Sequence, residues 1–298
     1  MKPYRTLLFI PGNQQRMLEK GPGSGADALL PDLEDSVPVE EKDTARAMLR
    51  EYIPAQRASA IFVRLNSVAS GETHRDLESV VVPGLRGVIL PKTESADEVR
   101  QVADRVSELE SVAGVASGSV EIVPMLETAL GVLRGYEIAT ASPRVASLCF
   151  ASAENGDLQT NLGCDWSAEG TEMLYARSKA IVDARAAGLE YPLDGVYADL
   201  DNESGLIADT TLSKRLGYKG RTVIHPKQVE PVNRIYTPPP EEVAYYQRLL
   251  AAFEAAKAEG KASAAFEGKM IDYAMAARAR RVLALAEMIG AGTVGHGR

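Results

Sequence analysis

Eightfold alternation constrains this chain more than any other feature. Short apolar runs, several rich in β-branched residues, recur eight times between stretches of helical periodicity: "RTLLFIPG" (5–12), "ALLPDLED" (28–35), "AIFVRLNS" (60–67), "GVILPKTE" (87–94), "EIVPMLET" (121–128), "VASLCFAS" (145–152), "GVYADLDN" (195–202) and "RTVIHPKQ" (221–228). The helix-like stretches include "VEEKDTARAMLREYI", "SADEVRQVADRVSELE" and "EGTEMLYARSKAIVDARAAG". Strand and helix in such alternation predict an α/β fold closed into a TIM (β/α)8 barrel, which typically needs about 250 residues. A doubly wound open sheet is the alternative, but no GxGxxG follows the first strand.

The pattern breaks at "YTPPPEEV", and two helical stretches follow around "EGKASAAFEGK", which reads as flexible. The expected division is a barrel over 1–235 and a C-terminal helical extension over 236–298. A formal net charge of −8 argues against general nucleic-acid binding, which needs basic surface. The N-terminal apolar run is too short for a signal-peptide core of about 7 to 15 residues or a membrane span of about 20, so no membrane partner and a cytoplasmic location are expected. Cys149 and Cys164 belong to no CxxC or Cys/His cluster and read as reduced thiols.

In a parallel barrel, catalytic groups sit where strands run out into the βα loops. The strand ends here carry Glu34 and Asp35, Arg64 and Asn66, Lys92, Glu127, Asp199 and Asp201, and His225 and Lys227. Taken singly, the acids of "DLED" and Glu127 also fit helix N-termini, where carboxylates are favoured. Taken together they supply hard oxygen ligands with little imidazole or thiolate company, a set suited to Mg²⁺, with Mn²⁺ as the alternative, rather than zinc. Arg64 offers a permanent fork for a carboxylate or a developing enolate oxygen, or else a structural ion pair. His225, before a proline, fits turn chemistry better than a ligand or base.

The motifs "RTLLFIPGNQQRMLEK", "LPDLEDSVPVEEKDTAR", "VRLN", "ILPKTES", "MLETALGV", "DLQTNLG", "GYKGRTVIHPKQV" and "GKMIDYA" resemble, in order, the landmarks of the citrate lyase β-subunit and acyl-CoA lyase family, whose relatives include malyl-CoA and citramalyl-CoA lyases. The resemblance implies a TIM barrel that cleaves or forms a C–C bond beside a thioester through a Mg²⁺-stabilised enolate. It gives Glu127 the place of the first metal carboxylate and Arg64 that of the arginine on the oxo-acid end. Asp35 resembles the acid near the metal's water shell, oriented by Glu34. Asp272 resembles the acid that a neighbouring subunit brings over the site from its C-terminal segment.

One departure follows the sixth strand. The family pattern is close to Gly-x-Glu-Asp-Leu, three residues, then Leu-Gly, whereas this chain reads "FASAENGDLQTNLG". Counting back from Leu162 and Gly163 makes Asp157 the second metal ligand, with Glu154 as the alternative. The resemblance further implies a coenzyme A thioester and a small 2-oxo acid as ligands, and a homo-oligomer, a trimer or hexamer. Arg5, Arg16, Lys42 and Arg46 are the candidates for the coenzyme's phosphates, unless they are solvated helix faces with i,i+4 partners. Two other functions fit the sequence: a metal-dependent aldolase on free 4-hydroxy-2-oxo acids, which is expected to need an early histidine where this chain has none before His74, and a subunit of a carrier-linked citrate lyase complex.

Overall fold

The computed structural model describes residues 1–151 and 153–294, with side chains as far as residue 290. Eight parallel strands close into a barrel in sequence order: β1 (Thr6–Pro11), β2 (Ala28–Asp32), β3 (Ala60–Arg64), β4 (Leu85–Leu90), β5 (Glu121–Leu126), β6 (Cys149–Phe150), β7 (Leu193–Asp194) and β8 (Gly220–Val223), with β8 returning to β1. Helices α1 (Gln15–Lys20), α2 (Lys42–Ala55), α3 (Thr73–Val80), α4 (Ala96–Ala113), α5 (Ala129–Leu133), α6 (Gly135–Ala139), α7 (Asp157–Leu162), α8 (Leu174–Ala186), α9 (Glu203–Leu216) and α10 (Val229–Tyr236) follow the strands. Helices over one face and a packed interior behind the other leave no polar side to a strand, which is why β2 is buried at every position.

The barrel interior is filled rather than open. Tyr4, Leu7, Leu30, Phe62, Ile89, Met125 and Cys149 belong to one buried cluster, and the Tyr4 and Phe62 rings meet edge to face at 5.3 Å. Gly87 makes room for this packing, since a Cβ there would stand 2.7 Å from the Phe62 ring and 2.6 Å from the Glu121 carbonyl.

The seventh strand departs from the expected position. Pairing with Cys149 and Gly220 falls on Leu193, and residues 195–202 run as a loop. Leu193 and Asp194 are both buried, and Asp194 receives the Arg177 guanidinium, whereas Asp199 and Asp201 keep to the loop, where the Asp199 side chain accepts the Asp201 N–H. Burial of two unpaired carboxylates in a sheet would be costly, so the alternation of "YADLD" is a loop's and not a strand's.

The chain packs as two compact units, one over Pro3–Ile235 and one beginning at Tyr236. The second unit holds α11 (Pro240–Ala258), an antiparallel hairpin of β9 (Ala264–Phe266) and β10 (Lys269–Ile271), and α12 (Tyr273–Val294). Its own core includes Leu249, Phe253 and Ile271. The segment that reads as flexible is therefore in part a hairpin, and Glu267 and Gly268, at φ 46 and 77, form the two-residue turn that such a tight hairpin requires. Among the described residues no helix is long and apolar enough to cross a membrane.

Candidate active site

The carboxylates of "DLED" lie beyond the end of β2, and no α-helix starts there before Lys42. Each acid has a different task. Asp32 is 1% exposed and takes Arg64 in a two-point ion pair, Nε to Oδ1 at 2.6 Å and Nη2 to Oδ2 at 2.7 Å. Its oxygens also accept the N–H of Glu34 and both the N–H and hydroxyl of Ser36, which folds the loop back on itself. Burial opposes the charge, but Arg64 and these hydrogen bonds outweigh it and hold Asp32 below the usual carboxylate range.

Arg64 is thereby fixed with half of its fork consumed and the other half facing the mouth. Its guanidinium carbon lies 4.8 Å from the centre of the Phe9 ring, and Nη1 reaches Glu34 and Asp35, each at 3.1 Å. Asp35 is 55% exposed, so a ligand oxygen can replace it on Nη1 without leaving a buried charge unpaired. Glu34 is buried; Oε1 accepts from the Lys92 ammonium at 2.8 Å, while Oε2 has ion-pair contact with Arg64 but no aligned hydrogen bond. Burial, reinforced by Asp35, raises the Glu34 pKa against the pull of Arg64 and Lys92.

Lys92 was legible only as one more charged strand end, and in the structure it occupies the middle of the site. Its backbone is in the left-handed region at φ 49, rare for a residue with a side chain. In that conformation its N–H donates to Glu127 Oε1 at 2.6 Å, while its ammonium stands 2.8 Å from Glu34, 3.3 Å from Asp35 and 3.5 Å from Asp157. The loop is held by α4, whose Ser95 and Glu98 form a reciprocal capping box. It also touches α5 so closely that a Cβ on Gly131 would lie 2.5 Å from the Thr93 carbonyl.

Glu127 ends the fifth strand unit just before Thr128, which caps α5 through Gly131 N–H. It is 5% exposed, and burial together with the nearby Glu34 charge pushes its pKa up to about 7, against the Lys92 N–H and the two cations. Asp157 opens α7, whose Asn161 accepts the Ala129 N–H and so docks that helix beside the Glu127 loop. Of the two alternatives after the sixth strand, Asp157 joins the cluster; Glu154 is exposed and has no ion pair among the described residues. Ser152 of the same loop lies outside the described residues.

Among the described residues, the cations on Asp32, Glu34, Asp35, Glu127 and Asp157 are those of Arg64 and Lys92, five carboxyls against two cations. The surplus and the orphaned Glu34 oxygen suit a divalent cation. No three potential ligands among the described residues close a metal shell by themselves; Mg²⁺ commonly takes one or two carboxylates and fills its octahedron with water and substrate oxygens. Glu127 and Asp157 are both in contact with Lys92, through its N–H and its ammonium respectively.

The four basic residues do not form a phosphate patch. Arg5 precedes β1, at the barrel end opposite the site, and is bound to Asp27 by two side-chain hydrogen bonds. Arg46 is buried among Asp43, Glu72 and Asp76. Lys42 donates to the carbonyls of Leu33 and Glu34 and to Asn66, bracing the loop that carries Glu34. Apart from Asp43, three residues before Arg46, the side-chain partners Asp27, Glu72, Asp76 and Asn66 lie more than twenty residues away, beyond the reach of i,i+4 reasoning. Arg16, exposed on α1, has no ion pair among the described residues and alone stays available for an anion.

His225 caps a short turn by accepting the Lys227 N–H, and Lys227 pairs with Asp201. His74 sits on α3 against Gln101. Asp272 belongs to the second unit, where its Oδ1 accepts the N–H groups of Ala274 and Met275 and caps α12.

A closed parallel barrel with a fixed arginine, a lysine and surplus carboxylates at its C-terminal mouth defines a barrel enzyme for anionic, oxygen-rich substrates that need a divalent cation. The HpcH/HpaI aldolase/citrate lyase family model matches residues 5–226, and the chain belongs to that family. It is 38% identical over 288 residues to citrate lyase subunit beta of Escherichia coli strain K12, covering 96% of this chain and 94% of that one. It is 34% identical over 291 residues to the (3S)-malyl-CoA thioesterase of Cereibacter sphaeroides, covering 97% and 96%. Among solved structures it resembles protein CitE from Mycobacterium tuberculosis in complex with magnesium, acetoacetate and coenzyme A, with a TM-score of 0.74, 29% identity and coverage of 95% and 98%.

Proposed function

We propose that the protein is a Mg²⁺-dependent carbon–carbon lyase that cleaves, or in reverse forms, a 3-hydroxy-dicarboxylyl-CoA of the malyl-CoA or citramalyl-CoA type. The observation that carries this reading is the cation-short mouth around Lys92, which touches both Glu127 and Asp157, while Arg64 Nη1 faces the exposed Asp35. When bound there, Mg²⁺ supplies Lewis-acid polarisation of the oxo-acid oxygens.

The chain's own residues do the rest. Arg64, locked by Asp32, binds the carboxylate of the oxo-acid half through Nη1, displacing Asp35. Removal of the β-hydroxyl proton lets the C–C bond break; the electron pair passes to the thioester as an enolate, which is then protonated to give the acyl-CoA. Asp272, supplied by a neighbouring subunit of a homo-oligomer, is the proton carrier in this scheme, and its Oδ1 is already ordered by α12. Arg16 meets a phosphate of the coenzyme. Two free thiols, Cys149 and Cys164, suit a reducing, cytoplasmic setting.

The test is steady-state turnover of racemic malyl-CoA and citramalyl-CoA with Mg²⁺ and with EDTA, following oxo-acid and free thiol separately. Metal-dependent oxo-acid release without thiol supports the lyase. Thiol release alone identifies a thioesterase, and no turnover of either substrate removes the reading.

A further inference from the structure

Lys92 makes contacts that a purely structural lysine has no use for. From one left-handed residue, the backbone N–H holds Glu127 at 2.6 Å and the ammonium reaches Glu34 at 2.8 Å, Asp35 at 3.3 Å and Asp157 at 3.5 Å. The two carboxylates placed to take the metal are therefore touched by opposite ends of the same residue. The Asp157 contact is the longest of the three ammonium contacts, and Asp157 is 48% exposed, so it is the easiest to give up. Glu34 is buried, and its hydrogen bond to Lys92 is short, so it is the hardest.

We propose that Lys92 is a resident counter-cation of the metal site: it holds Asp157 while the metal is absent, releases it when the metal enters, and keeps Glu34 in position throughout. This rests on the Mg²⁺-lyase reading. Its consequence is opposed effects on binding and turnover. A unit positive charge beside a divalent ion weakens the ion's binding, so removing the charge tightens it. The same removal leaves Glu34 and Asp35 with Arg64 alone of the two cations that hold them, and slows the reaction.

The experiment compares the wild-type protein with Lys92→Met and Lys92→Arg by calorimetric Mg²⁺ titration and by kcat and KM. Lys92→Met is expected to bind Mg²⁺ about tenfold more tightly, as a Coulomb term of this size implies, while kcat falls at least about tenfold through lost positioning. Lys92→Arg keeps the charge, and its Mg²⁺ affinity stays within about threefold of wild type. A merely structural lysine predicts weaker binding and lower kcat together.

If Lys92→Met is poorly folded, Lys92→Gln replaces it, and the unmodified protein gives an independent readout: acylation of the Lys92 amine, followed by mass spectrometry, should change at least about twofold when Mg²⁺ is added. Folded variants that bind Mg²⁺ no more tightly than wild type, or an amine footprint indifferent to Mg²⁺, overturn the inference and leave the lyase reading standing. A wild-type protein that binds no Mg²⁺ overturns both.

Discussion

Two arginine–carboxylate networks on opposite sides of the barrel use the same residue types to different ends. On the β7–β8 side, Arg177 takes Asp194 and, at 2.7 Å, Asp209, while Arg221 takes Asp209 at 2.8 Å, Thr210 and the Gly195 carbonyl. Two cations meet two anions, and although burial opposes it, the charges of Arg221 and Arg177 hold Asp209 below the usual carboxylate range. At the mouth, by contrast, carboxyls outnumber cations, Glu34 keeps an unbonded buried oxygen, and Glu127 is pushed up to about 7. A closed, neutral network joins helices to strands; an open one, short of positive charge, is arranged for something that arrives later.

Substitutions should separate the two regions. The largest effect is expected for Glu127→Gln, with kcat lowered about a thousandfold because a metal carboxylate is gone, a loss of about 4 kcal/mol of transition-state stabilisation. Circular dichroism should be unchanged. Arg177→Met should do the reverse: leaving Asp194 buried without its partner costs about 3 to 5 kcal/mol in urea unfolding, while the folded fraction turns over at the wild-type rate. A catalytic defect in Arg177→Met without loss of stability would abolish the distinction.

A third effect depends on pH. A carboxyl whose folded pKa lies above its ordinary value of 4.5 contributes stability that is fully present below that value and lost as pH rises through about 7. Unfolding of the metal-free protein in EDTA should therefore show wild type losing on the order of 3 kcal/mol relative to Glu127→Gln between pH 4.5 and pH 8.5. Parallel stability curves would mean that Glu127 is not strained by its surroundings. The smallest effect is expected for His225→Ala, a turn cap outside the mouth, with kcat/KM within about twofold of wild type. The shared-subunit assignment has its own check: Arg64→Ala and Asp272→Ala, each inactive alone, should recover activity when mixed and re-equilibrated, and no recovery would return Asp272 to a purely capping role.

Much of the fold was legible because eight apolar runs between helical stretches leave few alternatives, and the barrel closes in that order. The seventh strand was misplaced because Leu193 and Asp194 are too short a signal beside the more regular "GVYADLDN". At the site, Arg64, Glu127 and Asp157 could be placed by motif, but Asp32 and Lys92 could not be ranked. Asp32 gains its meaning from a partner on the next strand, and Lys92 from a positive φ that no residue pattern announces. Three of the four coenzyme candidates illustrate the same point, since Asp27, Asp76 and Asn66 engage Arg5, Arg46 and Lys42 through contacts distant in sequence.

The central claim is that the mouth lacks a divalent cation's charge, and Mg²⁺ titration by calorimetry in buffers of different ionisation enthalpy tests it most directly. With Glu127 near pKa 7, binding at pH 7 should release about half a proton, the release should fall towards none at pH 8.5, and binding should weaken sharply in Glu127→Gln. Absence of Mg²⁺ binding, or binding at pH 7 that releases no proton and survives Glu127→Gln, would contradict the account.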